Sequence, residues 1–136
     1  MITAVDTNVL IDVFAADATY GLRSKEALRR ARVDGELVAC AVVWAEVTAA
    51  FAEGEAARDA MERLGVALGP LGLEAALAAG AAWRGYRARG GRRERVIADF
   101  LIGAHALTSA DRLLTRDRGF YRASFKGLAV MDPTAV

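Results

Sequence analysis

The chain has 136 residues, 54% of them hydrophobic and 26% charged, with a formal net charge of +1. That suffices for one domain with a buried core, is too short for two ordinary ones, and excludes an intrinsically disordered chain. The near-zero balance names no polyanionic or polycationic partner.

Residues 2–5 form a short apolar run that ends at Asp6 and reads as a buried strand, with a helix over 8–15 behind it. A loop follows at 17–20. Residues 22–33 place Leu22, Ala27, Leu28 and Ala31 on one side and arginines on the other, as in an amphipathic helix. Asp34-Gly35 ends it as a turn. Residues 37–42 are apolar throughout, as expected for a strand covered on both faces. The next helix carries Trp44, Glu46, Val47 and Phe51 and breaks at Gly54. Helices are then expected over 55–64, 74–88 and from about 95 to 108, with Gly90-Gly91 interrupting. Short strands are expected at 66–68, 112–115 and 128–131, with a turn at Asp117-Arg118-Gly119. Strands alternating with helices predict a three-layer α/β/α sandwich, as one domain over 1–136, around a small, mostly parallel sheet of four or five strands.

Cys40 is the single cysteine and lies in an apolar run, so it reads as a small buried hydrophobe. The N-terminus has no basic stretch before an apolar one, and no run reaches the roughly 20 residues that span a bilayer. A soluble, cytoplasmic protein with no membrane contact is expected.

Ligands of open α/β sheets bind beyond the carboxyl ends of the strands. Asp6 and Asp117 follow strands at such places, while Glu46 and Asp99 interrupt apolar segments. A carboxylate among apolar neighbours needs positive compensation. Arg95 has the spacing to pair with Asp99, but no basic residue serves both Asp99 and Glu46. A divalent cation would compensate several carboxylates together. Oxygen donors favour Mg²⁺ or Mn²⁺, and one His and one Cys are too few for an ordinary zinc site. Each acid also has a plain structural role open to it. Asp6 and Asp99 suit the start of a helix, Glu46 a solvent edge, and Asp117 a turn. Asp12, Asp34, Asp59, Asp111 and Asp132 read as surface, turn or cap residues.

The order of these acids resembles the PIN-domain family, especially the VapC-type toxin ribonucleases of toxin–antitoxin systems. The resemblance is carried by Val5-Asp6-Thr7-Asn8-Val9-Leu10, the Glu46 helix, Ile97-Ala98-Asp99-Phe100-Leu101-Ile102-Gly103-Ala104-His105-Ala106, and Ala110-Asp111-Arg112-Leu113-Leu114-Thr115-Arg116-Asp117. It covers essentially the whole chain. It implies an acidic pocket of Asp6, Glu46, Asp99 and Asp117 that holds Mg²⁺ or Mn²⁺, with Asn8 and Thr115 in support. It further implies hydrolysis of RNA phosphodiesters, a small VapB-like antitoxin partner and a homodimer. Gly103 stands where the family often has Ala, which reads as a change of helix propensity only.

Four acids repel a polyanion, so basic groups must offset them. The segment 84–95 holds six arginines and one glutamate. Arg84, Arg87, Arg89, Arg92, Arg93 and Arg116 are candidate phosphate contacts, and Tyr86 is a candidate for stacking on a base. The segment equally suits a solvated helix end or a partner surface. His105 lies about 240° around the helix from Asp99 at 3.6 residues per turn, so it reads as structural. Two other readings compete with the nuclease. One is an RNA-binding or scaffolding module of the same fold without catalysis. The other is a Mg-dependent phosphotransfer domain, which wants a second Asp where Asn8 stands, or an acceptor Asp after a middle strand.

Overall fold

The computed structural model describes residues 1–92 and 95–135. In chain order the elements are β1 (Ile2–Val5), α1 (Thr7–Phe14), α2 (Gly21–Asp34), β2 (Glu36–Cys40), α3 (Ala41–Ala49), α4 (Gly54–Leu64) and β3 (Val66–Gly69). They continue as α5 (Leu73–Ala88), α6 (Ile97–Ser109), β4 (Arg112–Leu114), α7 (Arg118–Ser124) and β5 (Val130–Met131).

The five strands form one parallel sheet in the order β3-β2-β1-β4-β5. Helices cover both faces, giving the expected three-layer α/β/α sandwich. β1 is central, with Ala4 opposite Val38 on one side and Leu113 on the other. Burial on both faces explains why Ala4-Val5 of β1 and Leu113-Leu114 of β4 read as consecutive apolar residues rather than alternating ones. After β1 the chain first moves to one side, through β2 and β3, and then returns to the other through β4 and β5. The reversal lies between β1 and β4, and the carboxyl ends of the strands there are where open α/β sheets bind their ligands.

The core joins Val5, Val9 and Leu10 to Leu37, Val43, Val47, Phe100, Leu113 and Leu114. An aromatic group extends it. Phe100 stacks with Trp83 and meets Tyr86 and Phe120 edge-on, and Phe120 meets Tyr121. Tyr86 also meets Phe120 edge-on, and its ring lies under Gly91. Tyr86, a candidate for stacking on a base, is thus half-buried in this aromatic group. His105 is 2% exposed, and a Cβ on Gly69 would come within 2.3 Å of its Nε2. The ring thus packs against the end of β3. Burial holds its pKa below the usual histidine value, consistent with the structural reading. Cys40 is 1% exposed, and burial pushes its thiol pKa up, as suits a core residue.

Several boundaries differ from the expectation, four of them near the candidate site or the aromatic core. β2 ends at Cys40 and α3 begins at Ala41, because the apolar run continues across the junction without a turn residue to mark it. Phe51 falls beyond α3 and packs edge-on against Phe14. α6 begins at Ile97, so Arg95 lies outside it. Residues 118–124 form α7, where only a turn at Asp117-Arg118-Gly119 was expected. No helix among the described residues is long and apolar enough to cross a membrane.

Candidate functional site

Asp6 directly follows β1 at the sheet's reversal and is 6% exposed. Its backbone N–H donates to Leu114 O at 2.9 Å, so the ladder between β1 and β4 fixes the residue. The side chain caps α1, with Thr7 N donating to Oδ1 at 2.7 Å. The other oxygen faces β4. Thr115 Oγ1 donates to Oδ2 at 2.7 Å, and Asn8 Nδ2 approaches it at 3.4 Å. Thr115 Oγ1 in turn accepts from Asp117 N at 3.0 Å. One hydroxyl thereby ties the acid after β1 to the acid after β4. Asn8 and Thr115 thus both contact the Asp6 carboxylate.

The remaining acids are each held by a separate donor. Asp99 lies in the first turn of α6 and accepts from Val96 N at 3.3 Å. The early-turn role open to it is therefore present, and its charge also acts on Asp6. Asp117 accepts from Arg95 Nη1 at 2.5 Å, while the Arg95 guanidinium lies 4.1 Å from the centre of the Phe120 ring. The anticipated pairing of Arg95 with Asp99 is replaced because Arg95 precedes α6 and has no helical spacing to it. Glu46 is exposed on α3 and accepts from Thr7 Oγ1 at 2.7 Å, joined to Asp6 through its neighbour in sequence. Among the described residues, no three Asp, Glu, His or Cys side chains stand together closely enough to hold a metal ion. Each carboxylate is drawn to its own donor: Asp117 to Arg95, Asp99 to Val96 N and Glu46 to Thr7.

Two contributors, Thr7 and Tyr121, escaped the sequence reading, and Arg95 was read there with Asp99 and not with Asp117 as its partner. Tyr121 is 1% exposed and hydrogen-bonds Asp6. Burial, then the charges of Asp6 and Asp99, push its pKa far above the ordinary value, so the hydroxyl keeps its proton and remains a donor.

Burial raises the Asp6 pKa to about 6, against the opposing pull of Thr115, Thr7 and Tyr121 and with a smaller push from Asp99. An acid whose pKa is higher folded than unfolded binds more protons in the native state. Its contribution to stability therefore falls as pH rises from about 4 to about 6, by about 3 kcal/mol in all. Asp6→Asn cannot titrate there. In EDTA, the unfolding free energy of the variant relative to the parent should rise by about that amount over this window. Urea unfolding of both proteins at several pH values checks it, and a pH-independent difference would sink the argument.

The candidate arginines divide into two groups. Arg84, Arg87 and Arg89 are exposed along α5 and beyond it, with Arg87 4.9 Å from the Trp83 ring. Arg92 is also exposed, and Arg93 lies outside the described residues. Arg116 differs, because its guanidinium is bound inward by Asp12 at 2.7 and 3.1 Å. Asp12 is only 4% exposed, so it is not the surface acid expected from sequence.

Residues 3–126 match the PIN domain family. The chain belongs to that family. Comparison with curated proteins finds no match. Several solved structures share the fold of this PIN domain. A chain of VapBC-1 from nontypeable Haemophilus influenzae is similar at 21% identity and a TM-score of 0.75, over 99% of this chain and 100% of that one. A chain of DNA-bound VapBC from Salmonella typhimurium aligns at 14% identity and a TM-score of 0.72, over 98% of each. A chain of FitAcB from Neisseria gonorrhoeae aligns at 22% identity and a TM-score of 0.69, over the full length of both. At these identities the likeness establishes the PIN-type fold, and family membership supports a nuclease role in general terms.

Proposed function

We propose that this PIN domain is a metal-dependent endoribonuclease that hydrolyses RNA phosphodiester bonds, and that it serves as the cytoplasmic toxin of a VapBC-type pair. The observation that carries the reading is the Asp6–Thr115–Asp117 link at the reversal of the sheet, with Asp99 acting electrostatically on Asp6.

The donor set fits a hard divalent cation. It offers only oxygen, and Asp6 is a desolvated carboxylate whose charged form gains from a nearby cation. Asp6 and Asp99 would hold Mg²⁺ or Mn²⁺, with Asp117 and Glu46 as further ligands, directly or through water. When bound, the cation supplies an activated water and neutralises developing charge on the phosphate. The protein's own groups set the stage for that chemistry. Thr115, Asn8 and Tyr121 orient the Asp6 carboxylate by hydrogen bonds. Arg95 places a fixed positive charge beside Asp117, which lessens repulsion of an incoming phosphate. Arg84, Arg87, Arg89 and Arg92 are exposed on the segment before α6 and supply RNA phosphate contacts.

The partner reading rests on the similar chains named above, which come from VapBC and FitAcB structures. A VapB-like antitoxin and a second copy of this chain are the proposed partners. Leu73 and Leu77, 74% and 66% exposed and one helical turn apart on α5, supply apolar surface for such contacts.

Incubation of the purified chain with a panel of structured RNAs tests the activity. Cleavage is expected with Mg²⁺ or Mn²⁺ and should vanish on adding EDTA. RNA binding without metal-dependent cutting across the panel would instead support the non-catalytic module, the reading favoured by the absence of a three-acid cluster among the described residues.

A further inference from the structure

Asp12 and Arg116 form a half-buried ion pair that plays no part in the chemistry just described, yet it sits next to the group that organises it. Asn8 and Asp12 are four residues apart on α1 and share one face of the helix. Both reach the chain leaving β4. Asn8 Oδ1 accepts from the Arg116 backbone N–H at 3.3 Å. The Asp12 carboxylate takes the Arg116 side chain at two points, Nε at 2.7 Å and Nη2 at 3.1 Å. Ser24 of α2 donates to Asp12 at 2.8 Å from the other side, and the guanidinium lies 4.0 Å from the centre of the Tyr20 ring. Arg116 is thus held through backbone and side chain against α1, with α2 and Tyr20 closing around it. Its neighbour Thr115 is 0% exposed and carries the hydroxyl that joins Asp6 to Asp117.

We infer that Arg116 is a positioning residue for the nuclease site: anchored on Asp12, it fixes the path of residues 115–117 so that Thr115 meets Asp6, and it does not contact RNA phosphate. A bidentate guanidinium suits this task, because two parallel bonds set orientation as well as distance. The inference rests on the nuclease reading above and deepens it.

Three single variants test the link. Arg116→Gln removes the charge, Arg116→Lys keeps it without the fork, and Asp12→Asn loosens the anchor while leaving the arginine available to substrate. All are assayed well below their measured unfolding temperatures. Arg116→Gln and Asp12→Asn should each lower kcat by roughly 10–100-fold, the range typical of groups that orient metal-binding side chains. KM and the salt dependence of RNA binding should stay as in the parent, and Arg116→Lys should recover part of kcat. A KM raised tenfold at unchanged kcat, with the salt slope reduced by about one, would make Arg116 a phosphate contact and overturn the inference. Unchanged kcat with only a lower unfolding temperature would leave the pair purely structural and overturn it equally. Mn²⁺ affinity, measured by electron paramagnetic resonance, separates this from the parent reading. If the parent chain binds Mn²⁺ and Arg116→Gln binds it equally well, the positioning role fails alone. If the parent chain neither binds Mn²⁺ nor cuts RNA, both readings fail together.

Discussion

On the proposed nuclease reading, Asp99→Asn should reduce metal-dependent RNA cleavage by more than the roughly 10–100-fold that losing an orienting group costs, because a proposed ligand itself is altered. The substitution keeps the shape of the side chain and its capacity to accept from Val96 N, so α6 should start where it does now. What it removes is one of the negative charges acting on Asp6. Asp6→Ala should be at least as severe, since it deletes the group on which Thr7, Asn8, Thr115 and Tyr121 converge. In cells, expression of the chain alone is expected to arrest growth, and Asp6→Ala to relieve the arrest. Arrest that persists at equal expression of Asp6→Ala would show that something other than the nuclease causes it. Single-turnover cleavage rates of the purified variants provide the quantitative check.

Asp12→Ala should be the most destabilising single change near the site. It strands the Arg116 guanidinium between α1 and Tyr20 with no counter-charge and leaves Ser24 Oγ without its acceptor. Breaking a fully buried pair costs about 3–5 kcal/mol. Because the Arg116 side chain keeps 27% exposure, water partly compensates it, and about 2 kcal/mol is expected. For a chain of this size that lowers the unfolding temperature by roughly 8 °C. The double variant Asp12→Leu with Arg116→Met should regain most of this, since apolar groups of similar volume often replace a buried pair without loss. It should not regain cleavage, because no fork then orients residues 115–117. Thermal unfolding and cleavage rate measured on the same samples separate the two effects. A double variant that recovers both would show the pair to be dispensable for the site.

The contrast between Asp6 and Asp12 shows what a sequence can disclose here. Asp6 ends an apolar strand run, and the rule that ligands bind beyond strand ends makes its place legible without coordinates. Asp12 was equally conspicuous, an acid among Val9, Leu10, Ile11, Val13 and Phe14, but its partner lies 104 positions away. No local spacing rule reaches that far. Arg116 was assigned to RNA for the same reason, since its charge was visible and its direction was not. The sheet was legible because both-face burial leaves unbroken apolar runs. α7 was not, because it has seven residues and includes Gly119, and its hold on the core comes from Tyr121. Gly103 gives a further case. It read as a matter of helix propensity, yet a Cβ there would come within 2.3 Å of the Phe125 ring. The roughly 1 kcal/mol that alanine gains in a helix is then set against overpacking, which typically costs 1–3 kcal/mol.

The central placement of β1 also has a bearing on when the candidate site is assembled. The hydrogen bond that joins Thr115 to Asp6 spans 109 positions, and it exists only once β4 has docked beside β1. During synthesis, a ribosome that has made β1 through α5 has produced a sheet with one flank open and no paired carboxylates at its end. Such distant parallel pairing is slow to form because the intervening chain must be ordered first. The candidate site is therefore incomplete for most of the chain's time on the ribosome, and it is assembled in one late step.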